Sequence, residues 1–270
     1  MAKPLIAYVS MLRLATTTVA DPGTASGFSI ANISDMKSYN VWKSNTTVKP
    51  IEIDIDNGAS PQNANYIGLV NHNLFTLGAT VKIMADTFTP PTTQRMAATA
   101  VTEDGVSLLT FSAPGALRYW RVEITVAGAS FAAPPFIGDL WLGLRTDLPE
   151  YVAPSFDPFF KDVDIVGSRS DGGHYLAGIS RGQLHRGVIT FGAAGAARSW
   201  FTSDGNAFID NHALKRFPFF FTLDTADTDF DSPRYVKVPD TARIDRLAIG
   251  GAWTRLTFNL PVEEAFMEVA

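Results

Sequence analysis

From Tyr119 to Val126 apolar and polar side chains alternate without a break: Trp120, Val122, Ile124 and Val126 fall on one face, Arg121, Glu123 and Thr125 on the other. A period of two predicts a β-strand with one packed and one solvated face. The pattern recurs where Ile51, Ile53 and Ile55 alternate with Glu52, Asp54 and Asp56 before the turn signal Asn57-Gly58. Apolar runs at Tyr66 to Val70, Thr80 to Met84 and Ser107 to Phe111 predict further strands. Pro134-Pro135 leads from a long apolar loop into a strand over Phe136 to Gly143, and a short opening strand near Leu5 to Leu14 precedes the turn Asp21-Pro22-Gly23. Signals this closely spaced leave little room for helices. Residues 27–145 are therefore read as one antiparallel sandwich after an N-terminal strand or arm over 1–26.

The pattern changes at Pro149, Pro154 and Pro158, which together prevent both helix and central strand, so 146–160 reads as an interdomain linker. Its Tyr151 and Phe156 suit a segment lying against a surface as well as a plain connector. Beyond it, Val163 to Val166, Gly187 to Phe191, Phe217 to Leu223, Ile244 to Ile249 and Arg255 to Leu260 are strand-like. One helix is predicted over Asn206 to Lys215, where Phe208, His212 and Lys215 recur at spacings of four and three and Pro218 follows. The second domain, 161–270, is then a smaller β domain with one helix. In Phe217-Pro218-Phe219-Phe220-Phe221 the rings cannot share one strand face. One set is expected inward, the other against the helix, the first domain or a neighbouring chain.

Charge and composition narrow the chemistry. The net charge is -5, spread without long runs over 270 residues, which disfavours a nucleic-acid partner. With no cysteine there is no disulfide framework, thiol nucleophile or thiolate metal site. The N-terminal apolar stretch is broken by Ser10 and Arg13, unlike a secretory leader, and no run reaches membrane-spanning length. His72, His174, His185 and His212 lack zinc-ligand spacing, and Asn71-His72-Asn73 reads as a hydrogen-bonded turn. Ser10, Ser168 and Ser170 lack a nucleophile elbow. Asp54 and Asp56 share a strand face, and Asp224, Asp227, Asp229 and Asp231 crowd one loop. Paired carboxylates can hydrolyse glycosides, but both groups also suit a solvated surface, and the second suits a weak cation site. Gly172-Gly173 lacks the lysine of a phosphate loop, and a turn touching another subunit fits it better. No catalytic residue, metal or cofactor is expected.

The aromatic residues offer a binding chemistry. Trp42 with Tyr39 and Asn40 could form a glycan platform, a ring stacking on the sugar while Asn and Asp side chains meet its hydroxyls. Alternatively Trp42 plugs one end of the sandwich.

Taken in order, Asn32-Ile33-Ser34-Asp35, Val41-Trp42, Ile51 to Ile55, Tyr66 to Leu74, Tyr119 to Val122 and Ile137 to Gly143 resemble discoidin, or coagulation-factor type C, jelly rolls, a galactose-binding-like fold. More narrowly the chain resembles distal tail or hub-like structural proteins of bacteriophage tail tips carrying such a domain, and Ser168 to Gly173 and Arg216 to Phe221 are similar to segments that follow it there. The resemblance implies a virion structural component, assembled in host cytoplasm, whose copies form a ring joining the tail tube to baseplate or receptor-binding parts. Six copies are preferred over three; tube, hub and fibre proteins are the implied partners. It also implies, as the alternative, a carbohydrate-binding module assisting attachment to a host surface glycan. Candidate interface residues are Phe217, Phe219, Phe220, Phe221, Arg169 and Asp171, and candidate glycan-binding residues are Asn32, Asp35, Tyr39 and Trp42.

Overall fold

A computed structural model of the chain describes residues 5–148, 157–169, 175–194, 203–222, 233–240, 242, 245–249 and 255–265. The chain divides into two compact units that interleave in sequence. Leu5–Asp147 and Phe220–Arg234 form one; Leu148–Phe219 and Tyr235–Ala270, with Met1–Pro4, form the other.

The first unit opens with β1 (Leu5–Ala7), a single 3-10 turn at Met11–Arg13, and β2 (Thr18–Val19). It continues through β3 (Trp42–Lys43), β4 (Ile51–Asp56), β5 (Tyr66–His72), β6 (Ala79–Asp86), β7 (Gln94–Ala100), β8 (Val106–Thr110), β9 (Tyr119–Val126), β10 (Phe136–Gly143) and β11 (Arg145–Asp147). A five-stranded sheet, β2-β4-β9-β6-β7, faces a four-stranded one, β3-β10-β5-β8. Register explains the alternation in sequence. Across β4, β9 and β6 the rows Ile51/Ile124/Val81, Ile53/Val122/Ile83 and Ile55/Trp120/Ala85 are all buried in the core between the sheets. The intervening rows, Glu52/Glu123/Lys82 and Asp54/Arg121/Met84, form the polar face. This is the mainly β sandwich the sequence predicts. One strand it misses is β7, where Arg95, Ala97 and Ala98 blur the period.

The four-stranded sheet is covered on its other face as well. Opposite Trp141 on β10 stands Gly68 on β5, and a Cβ at Gly68 would collide with the Phe220 ring. Phe220 meets Trp141 edge-on at 5.8 Å and Tyr66 at 6.4 Å. Only glycine lets the ring lie this close.

In the second unit β12 (Asp157–Arg169) pairs antiparallel with β13 (Tyr175–Ala194), whose far half pairs with the last strand. The pairing of β12 shifts register at three places, the mark of β-bulges. Helix α1 spans Asp204–Asn211 and a separate 3-10 turn spans Ala213–Lys215. The predicted helix over Asn206 to Lys215 is thus interrupted at His212, whose backbone leaves the helical region, and the chain exits through Arg216 at φ 60. Then follow β14 (Phe219–Thr222), β15 (Arg234–Lys237), β16 (Asp245–Ile249) and β17 (Arg255–Glu264), with β17 between β13 on one side and β15 and β16 on the other.

Strand β14 carries the Phe run. Phe220 to Thr222 pair with β1, which pairs in turn with β11, so residues from both ends of the sequence complete the first unit. Phe219 packs edge-on against Phe208 of α1 at 5.0 Å. Phe219, Phe220 and Phe221 are all buried within the chain, so these three are not free to meet a neighbouring subunit. All four residues of β14 are buried, which accounts for three consecutive phenylalanines ahead of the buried Thr222. Of the four rings only Phe217 keeps substantial exposed surface. Arg169 ends β12; Asp171 lies outside the described residues.

Candidate functional site

The residues proposed as a glycan platform come together at the end of the sandwich where β5 ends and β10 begins. Trp42, however, is fully buried in the core, and its Nε1 donates to Thr24 Oγ1 at 3.0 Å. Without an open face it cannot stack on a sugar, so it fills the position of a core plug. Asn32 and Asp35 are scaffold. Asn32 Nδ2 donates to the Val41 carbonyl at 2.9 Å, while the Asp35 carboxylate accepts from Lys37 N at 2.8 Å and Asn40 Nδ2 at 2.9 Å. Tyr39, between them, is 76% exposed.

A third tie comes from Asn71, which the sequence marks only through the Asn71-His72-Asn73 motif. It adopts φ 51 and its Nδ2 donates to the Ser38 carbonyl at 2.6 Å. Ser38 lies over Gly138, where a Cβ would overlap the same carbonyl. Asn tolerates the left-handed conformation better than most residues, and here its side chain also fastens the Tyr39 loop to the sheet. Asn73 works in the same way: its Nδ2 donates to the Pro134 carbonyl and its Oδ1 accepts from Phe136 N.

His72 is buried and its tautomer follows from its neighbours. Nδ1 accepts from Leu74 N at 3.3 Å; Ser107 Oγ donates to the Glu103 carbonyl, so Nε2 must carry the proton it shares with Ser107 Oγ at 3.2 Å. Burial lowers its pKa to about 4, against the opposing pull of the Asp104 carboxylate 3.8 Å away. The folded state therefore favours neutral His72, and its contribution is complete above the ordinary unfolded pKa of about 6.5. As pH falls from there toward 4 it is lost, about 3 kcal/mol in all. Chemical denaturation of the wild type and His72→Gln across this range should show that the substitution removes this part of the slope. Parallel profiles would exclude His72 as its source.

Several of the remaining chemical candidates have structural roles. Arg121 bridges Glu52 at 2.7 Å and Asp54 at 2.5 Å, and Arg118 takes Asp56 through two hydrogen bonds. The Arg118 hydrogen bond holds the Asp56 pKa below its ordinary value. With each carboxylate already engaged by a guanidinium, this face is an ion-pair ladder, not a hydrolytic pair. Ser10 Oγ accepts from Leu142 N, and His212 Nε2 donates to the Pro218 carbonyl beside Phe208 and Phe219. Asp224, Asp227, Asp229, Asp231, Ser170, Gly172, Gly173 and His174 lie outside the described residues. Among the described residues no group of three or more His, Asp or Glu could hold a metal ion, and no helix is long and apolar enough to cross a membrane.

No known family's sequence profile matches the chain, and no curated protein matches it in sequence. Solved structures do. A chitosan-binding module from a chitosanase/glucanase of Paenibacillus sp. IK-5 aligns at 24% identity and a TM-score of 0.39, covering 50% of this chain and 98% of that one. CBM32-1 from a family 31 glycoside hydrolase of Clostridium perfringens aligns at 13% identity and a TM-score of 0.40, covering 48% and 95%. SpGH29 aligns at 17% identity and a TM-score of 0.39, with 50% of this chain matching only 28% of that one. At these identities the likeness concerns fold alone, and its low scores carry no inference about ligand.

Proposed function

We propose that the chain is a non-catalytic binding protein whose sandwich recognises carbohydrate by stacking a sugar ring on Tyr39. The observation that carries this reading is an exposed aromatic ring on a loop held in place on either side. Tyr39 is 76% exposed, while Ser38, Asn40 and Val41 are tied to Asn71, Asp35 and Asn32. A ring whose backbone is already ordered loses less entropy on binding, and its flat face suits the apolar side of a pyranose. Chitosan oligosaccharides, a soluble series of defined length, are the first probe. By titration calorimetry, Tyr39→Ala should weaken binding at least tenfold while leaving stability within about 0.5 kcal/mol, as for other exposed positions. Unchanged affinity in Tyr39→Ala, or no binding by the wild type, overturns the reading. Trp42→Ala would report on folding instead.

A second reading, the tail-tip role implied by the sequence resemblance, is supported by β13. Its 20 residues extend roughly 66 Å at about 3.3 Å each, several times an ordinary strand. A ribbon of that reach suits an assembly element better than the core of a small domain. We propose on this ground that copies join in a ring, with the virion tail tip as its place and tube, hub and fibre proteins as partners. Native mass measurement should give a closed oligomer; a monomer under assembly conditions argues against it.

A further inference from the structure

We infer that the carbohydrate site continues from Tyr39 to Phe75, so that its ligand class is an oligosaccharide chain instead of a single sugar. The inference rests on the carbohydrate reading of Tyr39. Phe75 is a large apolar side chain, 52% exposed, on the loop between β5 and β6. Like Tyr39 it is exposed but not loosely held. The Asp104 carboxylate accepts from Phe75 N at 2.9 Å and Thr76 N at 3.3 Å, Gly78 N donates to the Phe75 carbonyl at 2.8 Å, and Leu77 N donates to the Asn73 carbonyl at 3.1 Å.

The same residue that fastens the Tyr39 loop opens the Phe75 loop. Asn71 reaches Ser38, the residue before Tyr39, and Phe75 follows Asn71 by four residues, which cannot span more than about 14 Å. Both rings therefore stand at one end of the sandwich, each on a loop fixed by carboxylate or amide hydrogen bonds. Apolar rings left in water yet held rigid are the arrangement expected of stacking subsites, and two of them favour a ligand with more than one sugar ring. Asn40 and Asn73, on the two loops, have their amides engaged by Asp35, Pro134 and Phe136, so they fix the loops.

Titration with glucosamine, its dimer and its hexamer separates the alternatives. In the wild type affinity should rise with chain length. Phe75→Ala should leave glucosamine binding unchanged while reducing hexamer affinity about tenfold, and Phe75→Tyr should retain the hexamer gain, because a ring is what the subsite needs. Tyr39→Ala should weaken every member of the series. If affinity does not rise with length, or Phe75→Ala keeps the hexamer gain, the extension is wrong and the Tyr39 reading stands. If the wild type binds none of the three, both fall together.

Discussion

Replacing Arg13 with Met should lower stability by about 3–5 kcal/mol, the cost of leaving a buried charge without its counter-ion. Asp139 on β10 is wholly shielded from water, and Arg13 Nη2 meets its Oδ1 at 2.6 Å. The other carboxylate oxygen accepts from Trp141 Nε1 at 2.8 Å, and the Arg13 guanidinium lies 3.6 Å from the centre of the Trp141 ring. One cation thus serves a carboxylate and an aromatic face, and by doing so it pins the turn after β1 to the sandwich. The fit has a cost of its own, because Arg13 Nε and Nη1 are buried with no hydrogen-bond partner among the described residues. Methionine keeps much of the stem's packing, so its effect isolates the charge. Changing Asp139 to Leu in the same protein should recover part of the loss, although Trp141 Nε1 then lacks that acceptor. Equilibrium denaturation of the two single variants and the double variant measures the coupling. A loss below about 1 kcal/mol in Arg13→Met would show that the pair contributes little.

Phe220→Ala should cost a similar amount, about 3–5 kcal/mol, by opening a cavity over Tyr66, Gly68 and Trp141. The more discriminating result involves Gly68. In the wild type Gly68→Ala forces a methyl group into the Phe220 ring and should be strongly destabilising. With Phe220 already truncated, the same methyl enters vacated space and should become neutral or favourable. This reversal in sign, measured as a double-mutant cycle, would establish that Gly68 exists for Phe220. Additive effects would refute the direct contact.

These two sites mark the limit of what the sequence makes legible. The strands β4 and β9 can be read from alternation because each residue's face depends only on its neighbours in the chain. Trp42 could be read either as platform or as plug, since its burial depends on closure of the sandwich around it and not on Tyr39 or Asn40 beside it. Local spacing likewise placed Phe217 to Phe221 on a strand with rings on both faces. It could not reveal that β1, over two hundred residues away, would be the partner of that strand. The tie from Asn71 to Ser38 was hidden for the same reason: the motif suggested a local turn, whereas the side chain reaches another loop. Tyr39 was visible as an aromatic candidate, but its exposure and its fixed loop are properties of the folded chain. Phe75 carried no motif at all.

The split composition of the first unit sets a schedule for folding during synthesis. Its sandwich strands are complete at Asp147, but the segment from Phe220 to Arg234 that belongs to the same unit is made much later. At about 5–20 residues per second, the 73 residues from position 147 to 220 (220 minus 147) occupy the ribosome for roughly 4–15 s. Throughout that interval the nascent chain holds Tyr66, Gly68 and Trp141 without the ring that covers them. The protein therefore passes through a stage at which a nearly finished sandwich shows an apolar face to solvent until its last strands arrive.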